Sequence, residues 1–103
     1  MIEFIKKLFG IKTVDFRELV NNGAVIIDVR SPMEYKSGNI KGSKNFPVEN
    51  IRSKISDIKK LNKPVITVCR SGARSGMAKS ILKSAGIEVY NGGPWTSLQS
   101  KIR

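Results

Sequence analysis

Apolar residues along the chain fall into short runs separated by amphipathic stretches. Ala24-Val25-Ile26-Ile27-Asp28-Val29 and Val65-Ile66-Thr67-Val68 are nearly unbroken and rich in β-branched residues, the pattern of strands covered on both faces. Ile87-Glu88-Val89-Tyr90 predicts a last strand, Lys44-Asn45-Phe46 a short one, and Ile11-Lys12-Thr13 a short first one. Between them the period changes to that of helices. Asp15-Phe16-Arg17-Glu18 has capping-box spacing and opens a helix that ends at Asn22-Gly23, with Gly23 as left-handed cap. Ser31-Pro32-Met33-Glu34 supplies an N-cap, a proline at the first helical position and a glutamate three residues after the serine. That helix is brief and closes at Ser37-Gly38. Pro47 leads into a helix with Ile51, Ile55 and Ile58 on one face. Arg74 to Ala85 predicts a helix with Met77, Ala78, Ile81, Leu82 and Ala85 as its core stripe, capped by Gly86. Gly92-Gly93-Pro94 is expected to turn the chain, and Trp95, Leu98 and Ile102 to mark a C-terminal helix. Short strands alternating with helices imply an α/β fold, with a parallel sheet of about five strands covered on both faces.

The length of 103 residues fits a single domain over 1–103, with residues 1–10 as a short N-terminal extension or helix. That segment, Met1 to Gly10, is mildly amphipathic, too short and too charged for a signal peptide. No stretch is long enough to span a membrane, and the expected location is cytoplasmic. A net charge of +11 favours anionic partners, yet the lysines and arginines are scattered and lack interleaved aromatics. A diffuse field that concentrates small anions is therefore expected, rather than a nucleic-acid surface. The absence of histidine removes the commonest general base and metal ligand, and a Cys/His pair with it. The lone cysteine, Cys69, allows no internal disulfide and no cysteine-based metal site.

Cys69 follows an apolar strand directly and precedes Arg70-Ser71-Gly72-Ala73-Arg74-Ser75-Gly76 and a helix. The thiol thus stands at the carboxyl end of a buried strand, where open α/β sheets place ligands. Loop N–H groups and the helix N-terminus converge on one spot and favour an anion there. With Arg70 and Arg74 alongside, each of these influences lowers a thiol's pKa. Asp28, at another strand's end, is expected to accept hydrogen bonds from loop N–H groups. Arg30 and Glu34 are expected to pair across a helix turn, a contact worth a few tenths of a kcal/mol.

Four segments in order resemble the rhodanese-like domain from about Thr13 to Leu98. Ile27-Asp28-Val29-Arg30-Ser31-Pro32-Met33-Glu34-Tyr35 is similar to its D-V-R-x-x-x-E-(Y/F) segment. Gly38-Asn39-Ile40-Lys41-Gly42-Ser43-Lys44-Asn45-Phe46-Pro47 is similar to G-H-I-x-G-A-x-N-(I/L)-P. Cys69 to Ser75 matches the active-site loop, and Asn91-Gly92-Gly93-Pro94-Trp95 the late glycine pair. Asn39 departs from the usual histidine, which should tune local hydrogen bonding rather than abolish activity.

The resemblance implies a sulfurtransferase in which Cys69 takes a sulfane sulfur from thiosulfate as a persulfide and passes it to cyanide or a thiol. Residues 70–75 would hold the anion, with Asp28, Arg30 and Glu34 supporting them. No cofactor or metal is implied beyond the covalent intermediate. A small anionic donor and an external thiol or dithiol, such as glutathione or a thioredoxin-like protein, are the expected partners of a monomer. Four residues separate Cys69 from Arg74, one fewer than in the Cys-x5-Arg loop of phosphatases on similar architecture. A cysteine phosphatase or arsenate reductase is the alternative, and a non-catalytic binding module the third.

Overall fold

The computed structural model describes residues 13–103. Val25–Asp28 forms β1, Lys44–Asn45 β2, Val65–Cys69 β3 and Val89–Pro94 β4. Among the described residues these make one wholly parallel sheet in the order β2-β1-β3-β4. The expected first strand at Ile11–Thr13 lies outside them save for Thr13, which is not in a strand, so four strands stand where about five were expected. The expected helix at residues 1–10 also lies outside them. Phe16–Asn21 forms α1, Pro32–Ser37 α2, Ile55–Leu61 α3, Ala73–Ser84 α4 and Trp95–Ile102 α5. The helix expected from Pro47 begins instead as a 3-10 helix over Val48–Lys54. Ile51 and Ile58 are nonetheless buried together, with Ile55 packed beside them.

The pleat divides the core. Ile27, Val29, Val65 and Cys69 face α4 and the Val48–Leu61 segment, packing with Ala78 and Leu82. Ile26, Ile66 and Val68 face the other way, toward Phe16, Leu19, Trp95 and Leu98 of α1 and α5. A period of two sends alternate residues of one strand to opposite faces. It therefore puts Cys69 on the α4 side with Val65 and Thr67.

The expectations for α4 and for the last strand need correction. Met77 is 59% exposed rather than part of the core stripe of α4. The buried positions of that helix are Ser75, Ala78 and Leu82. With Ser75 turned toward β3, a rotation of about 100° per residue points residue 77 outward. The last strand also starts later than expected, at Val89, and runs through Gly92-Gly93-Pro94 instead of turning there. Its pairing with β3 jumps from Thr67–Asn91 to Val68–Gly93, so Gly92 is the extra residue of a β-bulge. A Cβ at Gly92 would lie 2.9 Å from both Ile66 Cγ2 and Val68 Cγ1, closer than side chains tolerate.

At the end of β1 the carboxylate of Asp28 and the guanidinium of Arg30 are both buried. Arg30 Nε donates to Asp28 Oδ1 at 2.9 Å and Nη2 to Oδ2 at 2.7 Å. The Arg30 backbone N–H adds a bond to Oδ1 at 3.0 Å, so the expected loop N–H contact to Asp28 is present. The Arg30–Glu34 side-chain pair is not. Arg30 Nη1 reaches only the Glu34 carbonyl at 3.3 Å, and Nη2 bonds the Gly38 carbonyl at 2.6 Å. The guanidinium also lies 4.7 Å from the centroid of the Trp95 ring. Asp28 sits closer and is wholly desolvated, so it outcompetes Glu34 for the same cation.

Breaking a buried pair by removing one partner costs about 3–5 kcal/mol, more than removing both. Urea unfolding of Arg30→Met is expected to show a loss of about 3 kcal/mol, partly restored in Asp28→Asn/Arg30→Met. A double variant no more stable than the single one would contradict this role.

Candidate functional site

The carboxyl ends of β1 and β3 lie side by side, with Arg30 just beyond one and Cys69 at the other. Residues 70–72 then turn the chain into α4. Gly72 makes the turn at φ +101°, a left-handed conformation that suits glycine, and serves as N-cap. Its N–H is thereby aimed back at the sulfur, donating to Cys69 Sγ at 2.9 Å. Ser75, one turn into α4, places its hydroxyl 3.3 Å from Sγ. The Thr67 hydroxyl, two residues earlier on the same face of β3, donates to the Ser75 carbonyl at 2.9 Å and fixes that turn.

Cys69 has no exposed surface (0%), so a donor reaches Sγ only as the surrounding loop atoms yield. Burial is the largest single influence on the thiol and pushes its pKa up. Hydrogen bonding from the Ser75 hydroxyl and from the backbone of Ser75, Gly72 and Ser71 acts against it and prevails, so the pKa lies below the ordinary value of 9.0. Of the influences expected to lower it, the loop N–H groups act directly on the sulfur, and Arg74 is coupled to it through charge.

The two arginines differ. Arg74 makes a bidentate pair with Glu34, Nη1 to Oε1 at 2.7 Å and Nη2 to Oε2 at 3.0 Å. The Glu34 carboxylate also closes the capping box of α2, accepting from the Ser31 N–H at 3.1 Å. The Arg74 bond, then the Ser31 N–H, pull the Glu34 pKa down from 4.5 to about 2. Glu34 in turn raises the Arg74 pKa, and the Cys69 charge adds to it. Glu34 therefore joins the site by holding Arg74, not Arg30. Arg70 is exposed at the rim and has no ion pair or hydrogen bond among the described residues. Ser71 and Ala73 are exposed beside it.

Asp28 and Arg30 stand behind the site as a scaffold rather than touching the sulfur. Asn39 donates from Nδ2 to the Tyr35 carbonyl at 2.9 Å, which closes the end of α2. Trp95 packs partly buried beneath Arg30 and against the lower core. One neighbour of the site was not singled out from sequence. Asn91 accepts from the Ser75 hydroxyl at 2.7 Å, placed there by its pairing with Thr67 on β3. An asparagine before a glycine pair was the only signal for it. Among the described residues no cluster of three or more His, Cys, Asp or Glu side chains is placed to hold a metal ion. No described helix is long and apolar enough to cross a membrane.

The lowered Glu34 pKa fixes the sign of one pH effect. A depressed carboxylate stabilises the fold above its unfolded pKa, and that contribution is lost as pH falls through the folded value. Both side chains are about one-third exposed, so solvent screening limits the pair to about 1 kcal/mol or less. Glu34→Gln is expected to be less stable than the parent at pH 7 by that amount. The gap should close between about pH 4.5 and about 2 in urea titrations. A gap independent of pH would contradict the pairing.

A model of the rhodanese-like domain family matches residues 13–94. The protein YqhL of Bacillus subtilis is 38% identical over 69 residues, 66% of this chain, although the match spans only 54% of that relative's length. The thiosulfate sulfurtransferase GlpE of Ectopseudomonas mendocina is 34% identical over 76 residues, covering 73% of this chain and 69% of that protein. The solved structure of a rhodanese with anions from E. coli superposes with a TM-score of 0.67 at 31% identity, over 73% of this chain and 91% of that one. The parallel sheet, the Cys69 loop and these likenesses agree: the chain belongs to the rhodanese-like domain family.

Proposed function

We propose that this chain is a sulfurtransferase that works through a persulfide on Cys69. The observation that carries the reading is the convergence of the Gly72 N–H and the Ser75 hydroxyl on Sγ, which favours a thiolate in a positively charged loop. The names of relatives such as GlpE favour thiosulfate, or an anionic donor like it, as the source of sulfur.

The Cys69 thiolate attacks the sulfane sulfur of thiosulfate. The new bond joins Sγ to that sulfur, the sulfur–sulfur bond of thiosulfate breaks, and sulfite leaves with the bonding pair. The product persulfide carries one negative charge and sulfite two, equal to the charge of thiolate plus thiosulfate. Cyanide or a thiolate then attacks the outer sulfur and releases Cys69 as thiolate, giving thiocyanate or a new persulfide. No proton has to be removed from a nucleophile or a leaving group, so a chain without histidine runs the cycle.

The residues divide the work. Loop N–H groups and the Ser75 hydroxyl stabilise negative charge on either sulfur. Arg70, exposed and without an ion pair among the described residues, attracts the incoming dianion, while Arg74 is held by Glu34 and contributes charge from a fixed place. This division also favours sulfur transfer over phosphoryl transfer, because the arginine that would cup a phosphate is already engaged bidentately. Cys69 is the chain's one cysteine, so an external thiol or dithiol must discharge the persulfide. The chain acts on this reading as a monomeric single domain with no resident cofactor.

Thiocyanate formation from thiosulfate and cyanide is the direct assay. The parent chain is expected to turn over and Cys69→Ser to show none, while Arg70→Ala raises KM for thiosulfate with a smaller change in kcat. The acid limb of kcat/KM should follow one ionisation, that of Cys69, with a midpoint below 9.0, since Glu34 stays charged down to about pH 2. Turnover undiminished in Cys69→Ser, or hydrolysis of a phosphate ester in place of thiocyanate formation, would overturn the reading.

A further inference from the structure

The hydroxyl of Ser75 has one hydrogen and three acceptors around it. Asn91 Oδ1 lies at 2.7 Å, the Gly72 carbonyl at 3.1 Å and Cys69 Sγ at 3.3 Å. A serine donates once and accepts through two lone pairs, so these contacts cannot all be donations. The Gly72 carbonyl already receives the Gly76 N–H at 3.0 Å and Asn91 Nδ2 at 3.3 Å, which occupies both its lone pairs. The contest is left between Asn91 and the sulfur.

The orientation of the Asn91 amide is fixed by its surroundings. Its oxygen accepts the Gly93 N–H at 2.9 Å, a turn of the asparagine type, and an interchange of oxygen and nitrogen would set NH2 against that N–H. On its other side Nδ2 lies 3.3 Å from where a Cβ of Gly76 would stand, so α4 leaves room for the amide by having glycine there. Pairing with Thr67 on β3 puts the side chain on the α4 face of the sheet, at this place.

We propose that Asn91 is a positioning residue for Cys69, acting through the shared hydrogen of Ser75. While Cys69 is a thiol, its S–H donates to Ser75 Oγ and the Ser75 O–H donates to Asn91 Oδ1. When the thiol ionises, the hydroxyl turns its hydrogen to Sγ. Asn91 Oδ1 keeps the Gly93 N–H, so no acceptor is left bare in either state. The same turn serves the persulfide, whose inner sulfur needs less of the hydrogen than the thiolate does. Asn91 therefore takes up the hydrogen in one state and gives it back in the other.

The charged groups around the loop are Arg70 and Arg74 of the loop itself, Glu34 of α2 and Glu49 of the 3-10 helix, the last two acting through Arg74. Among the described residues none of these side chains is hydrogen-bonded to Ser75 or Asn91. The proposal rests on the reading of Cys69 as the nucleophile, but its test does not need sulfur transfer to occur.

The test is the pH dependence of Cys69 alkylation by iodoacetamide in the full chain, which reads the thiolate directly. Asn91→Asp offers the hydroxyl a stronger acceptor of the same shape and is expected to raise the midpoint by about one unit, slowing alkylation about tenfold below it. Asn91→Ala removes the competitor and is expected to lower the midpoint. In a Ser75→Ala background the effect of Asn91→Asp should fall by more than half, leaving only the added charge. A purely structural asparagine would lower thermal stability in both variants without opposite shifts in midpoint. The proposal is overturned by midpoints that do not move, that move the same way in both variants, or that move as far without Ser75. If Asn91→Asp does not fold, Asn91→Ala decides by itself: a lower midpoint supports the proposal, and an unchanged or higher one overturns it.

Discussion

The buried pair of Asp28 and Arg30 holds together the parts of this fold that have no other reason to meet. Arg30 joins the end of β1 to the carbonyls of Glu34 and Gly38 at both ends of α2, and its guanidinium lies over Trp95 of α5. Asn45 Nδ2 bonds the carbonyls of Asp28 and Arg30 at 3.0 and 2.9 Å, tying β2 to the same corner. With α2 anchored this way, Glu34 faces the loop after β3 and grips Arg74. The route from the buried pair to the cysteine loop is thus a chain of three contacts. Its terms are unequal: the buried pair is worth several kcal/mol if broken, the Glu34–Arg74 pair, about one-third exposed, about 1 or less.

At Cys69 two large effects oppose each other. Complete burial disfavours a charged sulfur, and convergent donors favour it. The donors prevail because the left-handed turn at Gly72 and the rotation of α4 bring a backbone N–H and a hydroxyl to the same atom. That rotation has a visible cost elsewhere, since it leaves Met77 facing solvent. The sheet supplies the other half of the arrangement. Parity along β3 sends Thr67 and Cys69 to one face, and in-register pairing with Thr67 sets Asn91 over that same face.

Much of this was legible in the residues. Apolar runs and caps located β1, β3, α1, α2 and α5, and the order of strand, cysteine, glycine loop and helix located the site. What escaped was competition between partners remote in sequence. Arg30 and Glu34 have helical i,i+4 spacing, yet each found a better partner, Asp28 and Arg74 respectively, because depth of burial and not spacing decides such contests. Met77 and the start of β4 were misplaced for a related reason. A stripe of apolar residues does not say how a helix is rotated, and a glycine pair before proline serves a bulged strand as well as a turn. The role of Asn91 depends on its pairing with Thr67, so it could not be read before the register was known.

The central claim is that Cys69 carries sulfur covalently. Intact mass spectrometry of the purified chain after incubation with thiosulfate tests it most directly, beside Cys69→Ser. The account predicts a gain of one sulfur atom, removed by cyanide or dithiothreitol and absent from the variant. An unchanged mass in the parent chain, or an equal gain in the variant, would contradict it.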